Sequence, residues 1–450
     1  MERREIEGQW WLLENPDHKV PGRLVIDDDE IELSLLGALR EYAAGGDTVV
    51  QEDGTTVTTF SEESMARAGV YPRILGRAAN GKLYSLHDCF QVHRSGNFFG
   101  GLELQRITVH SVFEGVHLDD GELEFSEIVI QMDGLVQFVN RSGFSEEIRT
   151  EEVDGRLRML GHTVNLEPVP TEGFEGLDGS SCRLVHKRTT GGSEVTERHM
   201  SQDFMLHVAF DELKALDDLL VIASHFQDLV SVATGRRAAF TSISLRHPDL
   251  IRQIGDGPPL VLPVEMYAKW VVRPKPGLKP LGSHDVIFDL DDLGGVEALT
   301  RWLTVADRYA TSLARMMVAR YSDSTYASDS LLNAAATLEG YDRDKYEDGD
   351  STNFVDRTRR CIELAGGTFT DLVPDTDDFA KRLKQQRVNV AHHLNNVEGS
   401  SEQTFLGQAA ALLLIICLLR DAEAPEEVFE KIMDRQSWRW LSPDPPPVIS

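Results

Sequence analysis

The sequence predicts an α+β protein, with an N-terminal antiparallel β-rich, sandwich-like domain followed by a C-terminal α-helical bundle. Three observations carry that prediction. Short β-prone runs separated by Pro, Gly and Asp fill the first half of the chain. Asn80-Gly81 stands between two such runs, the strongest short-range hairpin signal. From about Gly294 onward, apolar residues recur at helical spacing instead.

The strand-like runs come in order. "QWWLL", "GRLVID" and "EIELSLLGAL" open the chain, and "RILGRAANGKLYSL" holds the hairpin signal. "LELQRITVHSVFEG", "SEIVIQMDGLVQFV", "GRLRMLGHTVNLE" and "SCRLVHKRTT" continue the pattern. Strands at this spacing suggest an antiparallel sandwich or barrel. No repeat of fixed period runs through them. "DELKALDDLLVIASHFQDLVSVATG" predicts a helix over about 211–234, with Asp211 and Glu212 favouring its start and Gly235 its stop. "AAFTSISL" and "EMYAKWVV" are two more strands, and the Pro- and Gly-rich "RPKPGLKPLGSHD" is a connector.

The helical part begins with "GVEALTRWLTVADRYATSLARMMVARY", read as one long helix. "DSLLNAAATLEGY" and "NFVDRTRRCIELAG" are the next two, with the acidic "YDRDKYEDGDS" as a solvated loop between them. "DTDDFAKRLKQQRVNVAHHLNNVEG", "SSEQTFLGQAAALLLIICLLRDA" and "PEEVFEKIMDRQ" complete the set. Short connections between helices imply an antiparallel bundle. The proline-rich residues 441–450 are expected to be a disordered tail.

Composition narrows the function classes. At 450 residues, 41% hydrophobic and 26% charged, the chain has the balance of a soluble globular protein of two or three domains. Its net charge of −29 disfavours non-specific binding to polyanions. A nucleic-acid role therefore needs a local basic patch. The four cysteines are scattered, which suits a reducing cytosol and argues against a disulfide framework or a zinc site. "MERREIEGQWW" lacks the apolar run of a signal peptide. The longest apolar run, Ala409 to Leu419, is too short to span a bilayer and reads as a buried helix.

The stretch with the most chemistry is "KRLKQQRVNVAHHLNN", Lys381 to Asn396. On a helix over 376–397, Phe379, Leu383, Val390, Leu394 and Val397 form one apolar stripe, and Arg387 interrupts it. A buried arginine stays charged and is costly unless paired. Arg382, Gln385, Gln386, Asn389, His392, His393 and Asn396 make a polar stripe beside it. Two readings stand side by side. One is an oligomer-interface helix whose arginine meets a carboxylate. The other is a phosphate-handling site, since arginine suits bidentate phosphate contact and histidine suits acid–base work near neutral pH. Adjacent histidines point apart, so no metal site is expected. Residues five apart differ by roughly 140° in direction, so Arg387 and His392 do not simply stack.

"RVNVAHH" resembles the arginine-x4-6-histidine motif of HEPN domains, with His392 and His393 both at allowed spacings. "GQWWLLENPDHKVPGRLVID", "RILGRAANGKLYSLHDC" and "DDLLVIASHFQDLVSVATGR" resemble the N-terminal domain of ApeA-like proteins. Together the resemblance covers nearly the whole chain. It implies residues 1–290 as an ApeA-like sensing or regulatory domain and 291–440 as a HEPN helical bundle. It further implies an anti-phage abortive-infection protein of the bacterial cytoplasm that cuts RNA without metal or cofactor.

In such ribonucleases two domains pair, so a homodimer or higher oligomer, an RNA substrate and a phage-derived trigger are the expected partners, with no membrane. The RNA's 2′-hydroxyl would attack the adjacent phosphate. His392 would serve as acid or base, with His393 as second choice. Arg387 would stabilise the phosphate charge and Asn389 would orient a ring. Lys381, Arg382 and Lys384 would hold the RNA backbone, or form a solvated helix face, and "RTRR" at 357–360 carries the same two readings. Val388 departs from the polar residue that often follows the arginine. The alternative is an inactive HEPN scaffold that dimerises and binds a phage component or nucleotide.

Other features read as structural. Trp10 and Trp11 suit a core better than a base-stacking platform. His87-Asp88-Cys89 sits in a strand-like run rather than in a thiol site.

Overall fold

The computed structural model describes residues 3–27, 30–40, 46–50, 56–60, 69–95, 103–118, 121, 123–193, 195–253, 255, 257, 259–272, 277, 279–322, 326–349, 351–392 and 400–435. The chain divides into two compact units. The first comprises Met1–Ile130, Ala209–Leu219 and Ala239–Arg273. The second comprises Gln131–Val208, Leu220–Ala238 and Pro274–Ser450.

The first unit is built on strands β1 (Arg4–Leu12), β2 (Asn15–Ile26), β3 (Ile31–Leu36), β4 (Gly46–Val50), β5 (Thr56–Phe60), β6 (Val70–Ala78), β7 (Leu83–Ser95), β8 (Leu104–Glu114) and β9 (Glu124–Met132). β1 pairs with β2 and β6, β2 with β3, β3 with β8, β8 with β7 and β7 with β6, all antiparallel. The ring closes, so these six strands form a barrel, which removes exposed sheet edges. Among the described residues, β4 and β5 pair only with each other.

Alternation along the barrel strands puts Trp10, Leu24, Leu33, Ile74, Leu86 and Ile107 inside, each fully buried. Gly76 lies beneath Trp10, where a Cβ would come within 2.3 Å of the indole ring. β6 and β7 meet at the expected Asn80-Gly81 turn. Gly81 takes φ +86°, and Asn80 Oδ1 accepts from the Lys82 amide at 3.1 Å. Strands Phe240–Arg252 and Leu260–Ala268 belong to the same unit and pair antiparallel, and the second also pairs with β8.

The second unit starts with a short helix, α1 (Leu135–Val139), in a stretch the sequence reads as strand. Gly134 at φ +82° turns the chain there, and Leu135, Phe138 and Val139 bury one face. β10 (Phe144–Val153) and β11 (Arg156–Leu166) form a separate ribbon, and β12 (Glu172–Glu175) pairs with β13 (Ser181–Gly191). β14 (His199–Ala215), whose residues from Ala209 on count with the first unit, runs on through residues 211–215, so helix α2 (Leu216–Thr234), counted with the second unit from Leu220, starts later than its sequence suggests. Asp217 and Asp218, rather than Asp211 and Glu212, occupy its first turn.

The remaining helices are α3 (Leu290–Leu293), α4 (Val296–Arg308), α5 (Ala310–Tyr321), α6 (Ala327–Tyr346), α7 (Phe354–Ala365), α8 (Gly367–Thr370), α9 (Thr376–His392), α10 (Ser400–Asp421) and α11 (Glu426–Asp434). The single long helix expected at 295–321 is two helices. The break falls at Tyr309 (φ −110°, ψ 26°), whose buried ring packs 4.6 Å from that of Tyr341. α10 packs against α6 and α7, with Leu406, Ala409, Leu413, Ile416 and Cys417 fully buried. Among the described residues, it holds the one segment, Ser401–Asp421, long and apolar enough to cross a membrane. In the fold, 72% of its most apolar window is buried.

The acidic stretch after α6 is not all solvated loop. Tyr341–Tyr346 continue α6, and Asp342 is completely buried. Arg357 Nη1 donates to Asp342 Oδ1 at 2.8 Å, and Arg360 Nε donates to Oδ2 at 3.0 Å. Arg357 and Arg360 also reach Asp348, at 2.9 Å and 2.7 Å. Hydrogen bonds from Arg360 and Thr352 hold the Asp348 carboxyl down at about 2. Two members of the basic "RTRR" run are thus engaged by carboxylates inside the bundle. A third, Arg359, pairs with Asp356 and Asp377. The proline-rich tail lies outside the described residues.

Candidate functional site

α9 carries the residues that the sequence singles out. Asp375 Oδ1 caps its start by accepting from the Asp378 amide at 3.0 Å, and Asp377 and Asp378 fill the first turn. Phe379, Ala380 and Leu383 are buried, which seats the first half of the helix firmly. Burial then declines along the same helix. Val388 is 40% exposed, and Val390 is only partly covered. The apolar stripe therefore ends where the polar residues begin.

Arg387 stands at that transition, with 35% of its side chain exposed. Its Nη1 lies 2.7 Å from Glu339 Oε2 on α6. Its guanidinium carbon lies 4.8 Å from the centroid of the Phe354 ring on α7. Glu339 Oε1 in turn accepts from Arg343 Nη2 at 3.0 Å. Asn389 Oδ1 accepts from Gln385 Nε2 at 2.9 Å, one turn back on the same helix. His392 is the last residue of α9, while His393 lies outside the described residues, as does the continuation to 397.

The three flanking cations differ. Lys381 pairs with Asp377. Arg382 reaches Glu402 on α10 at 2.7 Å and Asp378 at 3.3 Å, and the Glu402 hydrogen bond leads in raising its pKa. Lys384 is exposed and makes no ion pair among the described residues. Gln386 joins the same contact, donating to Glu402 Oε2 at 2.9 Å. Glu339, Phe354 and Glu402 are the participants that sequence reasoning missed. Each comes from a different helix, and no local pattern announces them.

The other candidates resolve as structure. Trp10 and Trp11 are buried in the first unit. Cys89 is fully buried and burial pushes its thiol pKa up, which makes it a poor nucleophile. Burial, aided by the Arg73 charge, lowers His87 to about 3. Among the described residues no group of three His, Cys, Asp or Glu side chains is placed to hold a metal.

A closed antiparallel barrel in one unit and a helix-rich second unit, with a partly exposed arginine paired to a carboxylate, define a two-unit α+β protein. Residues 5–302 match the family model described as ApeA N-terminal domain 1. That match covers more than half of the 450 residues, and the chain belongs to the ApeA family. Membership associates it with anti-phage defence. No curated protein and no solved structure matches the chain.

Proposed function

We propose that this protein is an anti-phage endoribonuclease of the HEPN type, acting without metal as a dimer or higher oligomer. The observation that carries the reading is the place of Arg387. It sits on the helix of the arginine–histidine motif, half exposed, in a cluster where two guanidiniums share one carboxylate. Arg387 stabilises the charge that builds on the scissile phosphate. His392 acts as general base or acid, with the partner copy in the complementary role, and His393 stands next to it in line. Asn389 helps orient the imidazole. The RNA's 2′-hydroxyl is the nucleophile, so the product ends in a 2′,3′-cyclic phosphate and DNA is resistant. A phage component is the trigger.

The test is RNA cleavage in EDTA by wild type and His392→Ala, with the product ends mapped. Cutting by wild type alone, leaving cyclic-phosphate ends, supports the reading. Equal cutting by both proteins sinks it.

A second reading has a specific observation in its favour. The Arg387–Glu339 ion pair is what a scaffold helix needs to place an arginine near its core, and Val388 offers an exposed apolar contact. On that reading the helical part only dimerises and binds a phage component or nucleotide. Wild type then binds its trigger and cuts nothing.

A further inference from the structure

Arg387 is held from two sides, by α6 and by α7. Glu339 supplies a carboxylate oxygen at 2.7 Å and Phe354 a ring face at 4.8 Å. The two oxygens of Glu339 are divided, Oε2 to Arg387 and Oε1 to Arg343. One carboxylate therefore contacts two guanidiniums from different helices. The exposures are graded, 18% for Glu339 and 35% for Arg387. The carboxylate lies behind and the guanidinium in front.

A freely rotating guanidinium meets a phosphate in many poses. A carboxylate on one edge and an aromatic face alongside restrict it, which lowers the ordering cost when the phosphate arrives. We infer that Glu339, supported by Phe354, is the positioning residue of Arg387, fixing its guanidinium for contact with the scissile phosphate. The catalytic half of this inference rests on the ribonuclease reading above; the contact itself does not.

The full-length chain is compared with Glu339→Gln, Glu339→Asp and Phe354→Leu. Cleavage of a short RNA gives kcat and KM, and thermal melting reports folding. In parallel, the rate at which phenylglyoxal modifies Arg387 in the protein alone is followed by mass spectrometry. A positioning role lowers kcat by about tenfold or more in Glu339→Gln, with KM within about twofold and an unchanged melting temperature. Glu339→Asp regains most of the loss, and Phe354→Leu falls between. If Glu339→Gln does not fold, the other two variants carry the same comparison.

A Glu339→Gln chain that cuts as fast as wild type overturns the inference and leaves the ribonuclease reading intact. A loss of kcat matched by a fall in melting temperature makes Glu339 merely structural and also overturns it. Absence of cutting by wild type, with lysate of phage-infected cells supplied as the source of the trigger, sinks the ribonuclease reading instead. The Arg387–Glu339 contact is then decided by the arginine reagent. Several-fold faster modification in Glu339→Gln upholds it, and equal rates overturn it.

Discussion

Arg357 donates from Nη1 to Asp342 Oδ1 over 2.8 Å, and the two side chains are sealed from solvent at 1% and 0% exposure. The pair joins α7 to α6 inside the bundle. Taking both charges out of water is expensive, and their attraction offsets that cost only while both are present. Asp342→Asn should destabilise the protein by about 3 kcal/mol, because Arg357 and Arg360 lose the buried one of the two carboxylates they share and keep only Asp348. An Asp342→Leu, Arg357→Met double variant should recover much of the loss. Urea unfolding of the single and double variants measures both.

Asp228 on α2 gives a pH dependence. Burial pushes its carboxyl up to about 7, against the opposing effects of the Tyr321 hydrogen bond and the Arg320 charge. Its unfolded value is near 3.9. The folded state therefore holds this proton more tightly than the unfolded chain does. The stabilisation it brings is complete below about pH 4 and is lost as pH rises through about 7. Asp228→Asn, which keeps a neutral partner for Tyr321, should remove this contribution. The stability of Asp228→Asn relative to wild type should rise from pH 4 to 7 and level off above. A constant difference across melting curves at pH 4, 5.5, 7 and 8.5 would contradict the assignment.

Trp10 and Gly76 make a packing test in the barrel. A methyl group at position 76 would start 2.3 Å from the indole, well inside contact distance. Gly76→Ala should cost about 1–3 kcal/mol, the usual penalty for overpacking. Near-UV circular dichroism should change along with stability, because the ring must move. Unaltered stability and spectrum would show that the barrel yields at this point.

Lys384 and Lys381 should differ if the helix face meets RNA. Lys381 is paired with Asp377, whereas Lys384 has no ion-pair partner among the described residues. Removing one cation that neutralises a phosphate lowers the salt slope of binding by about one. Lys384→Ala should show that change, and Lys381→Ala a smaller one. Binding is measured over a salt series with an RNA whose scissile 2′-hydroxyl is removed. Identical slopes for both variants and wild type would take the RNA off this face.

What was legible in the sequence was local. Asn80-Gly81 specifies its turn by backbone preference alone, and the capped, acidic start of α9 needs only neighbours in sequence. Helix periodicity located α6, α7 and α10 for the same reason. The features that escaped depend on distant residues. Tyr309 breaks a helix that looks continuous, at a point where its ring packs on Tyr341. Residues 211–215 carry acidic and apolar residues fit for a helix but extend β14 instead. Asp342 looks like part of a solvated acidic run until two arginines from the next helix surround it. The partner of Arg387 was foreseeable as some carboxylate. That it is Glu339, far back along the chain, depends on how α6 and α9 pack.

The path of the chain also limits how this architecture can be inherited. α2 lies within the family-matched region, yet Ile222, Phe226, Leu229 and Val230 are buried, and the helix shares bonds with later ones. Trp302 on α4 donates to the His225 carbonyl at 2.8 Å, and Tyr321 on α5 bonds Asp228. A recombination event that joined new coding sequence upstream of residue 291 would deliver helices with an empty, greasy seat where α2 belongs. Such an orphan would tend to aggregate before it could act. Any shuffling among relatives that preserves a working product must carry α2 together with the helices it serves, so the selectable unit of descent is larger than the helical segment.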